Sequence, residues 1–104
     1  MKEEKVACRT PAEGRDGVTN IPKWKFDAIR AILLDVVKDA GADGYKWSDM
    51  SDAVRARLTE EQRATLGKVG WHTVTVKLEL ECRDELVRLD VKGPQRLVLG
   101  PAAK

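Results

Sequence analysis

The side chains here best suited to act as nucleophile and base are two cysteines, Cys8 and Cys82, and a single histidine, His72. Cys82 follows His72 by ten residues, which on a helix is nearly three turns and outside hydrogen-bond reach, so a thiol–imidazole pair is not formed from them locally. One imidazole and two distant cysteines without a CxxC do not make a zinc set. No glycine-rich phosphate loop, GxSxG elbow or HExxH occurs, and the carboxylates are distributed as on solvated helix faces. His72 therefore reads as a helix-capping or interface residue. The chain reads as a non-enzyme with no metal, cofactor or evident small-molecule substrate.

What remains is recognition, and the charge pattern bears on the partner. The formal net charge is +2, and its excess lies in residues 1–25, which hold six Lys or Arg against four acids, while residues 26–104 hold thirteen of each. A basic N-terminal quarter with Lys2, Lys5, Arg9 and Arg15 suits an anionic partner, although strong nucleic-acid binders carry a clearer basic patch. At 104 residues the chain has the length of one domain, and with 42% hydrophobic residues it can build a core, so disorder is not expected. No run approaches the roughly 20 apolar residues of a membrane span, and the first ten residues lack a signal peptide's apolar stretch. A cytoplasmic protein is expected.

The elements that must position these groups follow from spacing and punctuation. Residues 1–21, with Thr10-Pro11, Gly14 and Gly17, predict an N-terminal arm or ordered loop. Phe26, Ile29, Ile32, Leu33, Val36 and Val37 recur at three and four, which predicts a helix over 22–40, with Pro22 in its first turn, Asn20 near the cap and Gly41 as a left-handed stop. A short extended piece at 45–47 leads through Ser48 into a second helix with Met50, Ala53, Val54 and Leu58 on one face, and Thr59 with Gln62 forms a capping box that starts a short further helix. Residues 86–91 and 95–99 alternate around Lys92-Gly93-Pro94 as a β-hairpin. The tail 101–104 is expected to fray.

Residues 71–86 read two ways. Val74, Val76, Leu78, Leu80 and Cys82 alternate with polar residues as in a half-buried strand, yet Thr73, Val76 and Leu80 also share one helical face. The flanking order favours a helix, because helix, strand, helix, helix and hairpin then resembles the winged-helix form of the helix-turn-helix. The resemblance is carried by residues 76–88, where Leu80, Glu81 and Leu86 match a Leu-Glu-x-x-Gly-x-Ile ending and Asp84 stands in the place of the glycine. The expected architecture is α+β, a winged helix-turn-helix with three main helices, a short first strand and a C-terminal hairpin wing over 22–100. More closely, Thr10-Pro11, the Ile-Pro-Lys-Trp-Lys-Phe of residues 21–26 and the segment 70–78 resemble a family of small uncharacterised bacterial proteins, which implies a fold and no activity.

The winged-helix resemblance implies double-stranded DNA as partner in a regulatory setting, with His72 and Thr75 near the major groove and Arg88, Lys92 and Arg96 of the wing on phosphates. The third helix opposes this, since over residues 71–85 Lys77 and Arg83 face Glu79, Glu81, Asp84 and Glu85. It also carries a second apolar stripe, Trp71, Val74, Leu78 and Cys82, which fits an interaction or homodimerisation surface unless Val6, Cys8 and Pro11 fold back and cover it. Trp24 and Trp47 are expected to seal the two ends of the core.

Overall fold

Pro22 sets the entry to the first helix. Its extended backbone (φ −55°, ψ 137°) ends a strand and hands the chain to α1, Lys23–Ala40, without a side-chain cap. Phe26, Ile29, Leu33, Val36 and Val37 are buried along one face of α1, and Gly41 closes it at φ 71°, where a side chain would be strained. The computed structural model describes residues 4–10, 14–89 and 92–103.

Before α1 the described residues are mostly strand. Strands β1, Lys5–Thr10, and β2, Gly14–Pro22, pair antiparallel with Val6 opposite Ile21 and Cys8 opposite Thr19, and a bulge falls between Cys8 and Thr10. The expected arm is thus a hairpin, and Asn20, expected near the helix cap, sits in β2 opposite Ala7. Cys8 and Ile21 are buried in the main core, which gives the hairpin the apolar anchor that two strands alone lack.

After α1 come β3, Tyr45–Lys46, a 3-10 turn at Trp47–Asp49, and α2, Met50–Arg57, whose start has no side-chain cap from Ser48 or Asp49. Helix α3, Glu60–Leu66, is started by the expected capping box: the Gln62 amide donates to Thr59 Oγ1 at 3.0 Å and the Thr59 amide to Gln62 Oε1 at 2.9 Å. Helix α4, Val69–Cys82, settles the ambiguous stretch as helix. Asp84 then turns at φ 59°, in the left-handed region that the glycine-like position requires.

The C-terminal hairpin is β4, Leu86–Arg88, and β5, Arg96–Leu99, and β3 joins its other edge to give a three-stranded antiparallel sheet in the order β3-β5-β4. The architecture is α+β, with four helices and two small sheets among the described residues. Its core gathers α1, α2 and α4 with Leu86 and Leu97 of the sheet. The segment expected to fray, Pro101–Ala103, is a 3-10 turn whose Ala102 amide donates to the Asp84 carbonyl at 3.0 Å.

Gly100 makes that closure possible. Its amide donates to the Glu85 carbonyl at 2.9 Å, and a Cβ at this position would run into the Asp84 carbonyl. Backbone cannot step aside as a flexible side chain can. Gly100→Ala is expected to pull the end of β5 away from the α4–β4 turn and to cost about 1–3 kcal/mol. Urea denaturation reads this directly, and an unchanged midpoint would refute the close approach.

Candidate functional site

Helix α4 is the element against which the rest is assembled. At 100° per residue, Val69, Thr73, Val76 and Leu80 form one face, and all four are buried in the core. A buried threonine needs a partner, and Thr73 Oγ1 donates to the Val69 carbonyl at 2.8 Å. The two flanks of α4 are occupied by ion clusters, and its outward face is apolar.

On the first flank Glu79 is almost fully buried and is held from three directions. The Arg9 amide and Nε donate to its Oε1 at 2.9 and 3.0 Å, Arg9 Nη2 donates to Oε2 at 2.9 Å, and Arg83 Nε donates to Oε2 at 2.7 Å. Burial alone would push this carboxyl up, but the hydrogen bonds from Arg9 and Arg83 outweigh it and hold the pKa at about 2. Arg83 also lies over the Phe26 ring, 4.8 Å from its centroid, so the cluster joins β1, α4 and α1.

On the second flank the Glu81 carboxylate forms ion pairs with Lys77 Nζ at 3.0 Å and with Arg88 Nε at 3.3 Å. Lys77 is itself buried, with its ammonium 5.1 Å from the centre of the Trp47 ring. Trp47 therefore contributes to the seal between α4 and the C-terminal hairpin, whereas Trp24 is 37% exposed.

Between these flanks lie Trp71 (48% exposed), Val74 (41%) and half-buried Leu78, with half-buried Cys82 at the end of the row. The β1–β2 hairpin leaves Trp71 and Val74 uncovered. Its Val6 is half-buried and Cys8 turns into the core; Pro11, also expected to cover this row, lies outside the described residues.

The residues expected to meet DNA are not gathered on one face. His72 is buried, its Nδ1–H donating to the Lys68 carbonyl at 2.7 Å, and its ring meets Trp71 edge-on. It lies nine residues from Glu81 and so on the opposite side of the helix from the Arg88 cluster. Thr75 Oγ1 turns back to the Trp71 carbonyl at 2.9 Å. Arg96 Nη1 donates to the Gly44 carbonyl at 3.4 Å, and Lys92 is exposed. Of the basic arm, Lys5 is exposed and Arg9 belongs to the Glu79 cluster, while Lys2 and the Arg15 side chain lie outside the described residues.

Neither thiol is activated. Burial and then the Glu79 charge push Cys8 up to about 11, against a smaller pull from Arg83, and Cys82 is raised by burial and Glu79. Among the described residues no group of three or more His, Cys, Asp or Glu could hold a metal ion. A cleft of about 370 Å³ between the end of α1 and the C-terminal hairpin is lined by Val37, Val98, Leu89 and Leu99, and among the described residues Lys38 is its one charged side chain, with no set of converging polar groups to orient a substrate. No helix of the described residues is long and apolar enough to cross a membrane.

The spacing of Lys77 to Glu81 and of Glu79 to Arg83, each four apart on a helix, is legible in the sequence and announces both clusters in part. The Arg9 contact, seventy residues away, has no sequence signal.

No curated protein and no solved structure matches the chain. A family model does match, over residues 5–97, and by that match the protein belongs to a family of unknown function, DUF6958.

Proposed function

We propose that this chain is a protein-interaction module of winged-helix form that presents the outward face of α4 to a protein partner. The winged-helix assignment is supported by the order of helices and strands and by the β3-β5-β4 sheet, in which the last strand lies between the first and the second. The interaction role rests on one observation. Where a DNA-reading helix would carry polar side chains toward base edges, α4 carries Trp71, Val74 and Leu78 outward and keeps His72 and Glu79 inside. Apolar side chains gain nothing against phosphates and gain from burial against another apolar surface.

Site-specific photo-crosslinking in the native cell tests the role. A benzophenone side chain at position 74 is expected to give discrete protein adducts, and the same group at exposed Glu61 of α3 none. Nuclease-sensitive adducts at position 74, or retention of a mixed-sequence duplex that is lost when Arg88, Lys92 and Arg96 are replaced together by Ala, would favour the DNA reading and overturn this one.

A further inference from the structure

The two ion clusters on α4 share a stoichiometry. Each has one carboxylate and two cations: Glu79 with Arg9 and Arg83, Glu81 with Lys77 and Arg88. Among the described residues, four cations against two carboxylates leave one positive charge in excess in each cluster, beside the apolar row. Glu79 and Glu81 point 160° apart around the helix axis, so the two excess charges stand on opposite flanks of Trp71, Val74 and Leu78. Three of the four cations are within reach of solvent, since the side chains of Arg9, Arg83 and Arg88 are 41%, 36% and 62% exposed, while Lys77 is buried. At the two ends of the row, exposed Lys68 and exposed Asp84 offset one another.

We infer that the α4 face binds an acidic amphipathic segment, one whose apolar residues recur at three and four and are flanked by carboxylates on both sides. This rests on the interaction reading above and names the partner's chemistry. The apolar row from Trp71 to Cys82 spans about 17 Å at 1.5 Å per residue, which matches three turns of a docked helix. The guanidiniums are already oriented by Glu79 and Glu81, so a partner carboxylate meets donors whose side-chain entropy has been lost in folding. A second copy of this chain fits less well, because a two-fold pairing through α4 brings equal positive flanks together.

Selection of random sixteen-residue peptides displayed on phage against the immobilised full chain tests this. Enriched peptides are expected to be acidic with apolar residues spaced three and four apart. Their affinity is expected to fall at least tenfold on Val74→Glu and severalfold on Arg88→Glu, with circular dichroism unchanged in both variants. Neutral or basic consensus peptides, no enrichment, or binding indifferent to Val74→Glu would each overturn the inference. A wild-type dimer in sedimentation that Val74→Glu dissociates would overturn it in favour of a second copy and leave the interaction role standing. Wild-type binding to phosphatidylglycerol-containing vesicles that Val74→Glu abolishes, without peptide enrichment, would replace the partner with a lipid surface and remove the protein-interaction role as well.

Discussion

Replacing Glu79 with Gln is expected to cost about 3 kcal/mol of stability at pH 7 and to remove most of the acid-induced loss that the wild-type chain shows between about pH 4.5 and pH 2. The folded-state pKa of about 2 lies below the ordinary 4.5, so the folded state binds this proton less readily than the unfolded chain. Stability from the group is therefore fully present above the unfolded value and declines as pH falls toward the folded one. The gap is worth about 3 kcal/mol at about 1.4 kcal/mol per pH unit. Gln keeps the shape and one acceptor but loses the charge, and Arg9 and Arg83, both partly exposed, return to water. Urea melts at pH 7, 4 and 2.5 on both proteins measure the difference. If the wild type and Glu79→Gln lose stability in parallel on acidification, Glu79 is not held by the two arginines.

That cluster also explains which parts of the fold are legible in the sequence. Helix α1 is, because its core residues recur on one face and its other side is in water. Helix α4 is ambiguous for a physical reason: hairpins cover both its flanks, and the face left open to water is an apolar row rather than a polar one. Lys77 and Glu79, which alternate with apolar residues as strand side chains would, are buried in ion pairs, and half-buried Glu81 completes the pattern. Polar identity thus fails to report exposure here, and only the neighbouring elements identify the helix. The β1–β2 hairpin is hidden for the converse reason. Its glycines and Pro11 punctuate like a loop, and its docking depends on Cys8, Ile21 and the contact from Arg9 to Glu79. Such long-range anchors leave no local period. The candidate surface divides in the same way, since the apolar row is a helical repeat within α4 whereas the cationic excess beside it appears only when β1 and β4 are in place.

The faces of α4 allow one substitution to be set against another. Leu80→Ala deletes three carbons at a site without solvent exposure and packed among α1, α2 and the sheet, and is expected to cost about 2–5 kcal/mol. Val74→Glu introduces a charge only six residues away, yet on the free chain it is expected to stay within about 0.5 kcal/mol, because the position is open to water and Glu is the better helix former. Thermal unfolding at two protein concentrations a hundredfold apart separates the cases. A small, concentration-independent effect of Val74→Glu is expected for a face that waits for a partner of different sequence. If the wild-type midpoint instead rises with concentration and the variant's does not, the face is already covered by a second copy, and the destabilisation read at high concentration measures that contact rather than the fold. Leu80→Ala lowers the midpoint equally at both concentrations in either case, so it marks the part of α4 that belongs to the fold and leaves Val74 to report on the part that belongs to recognition.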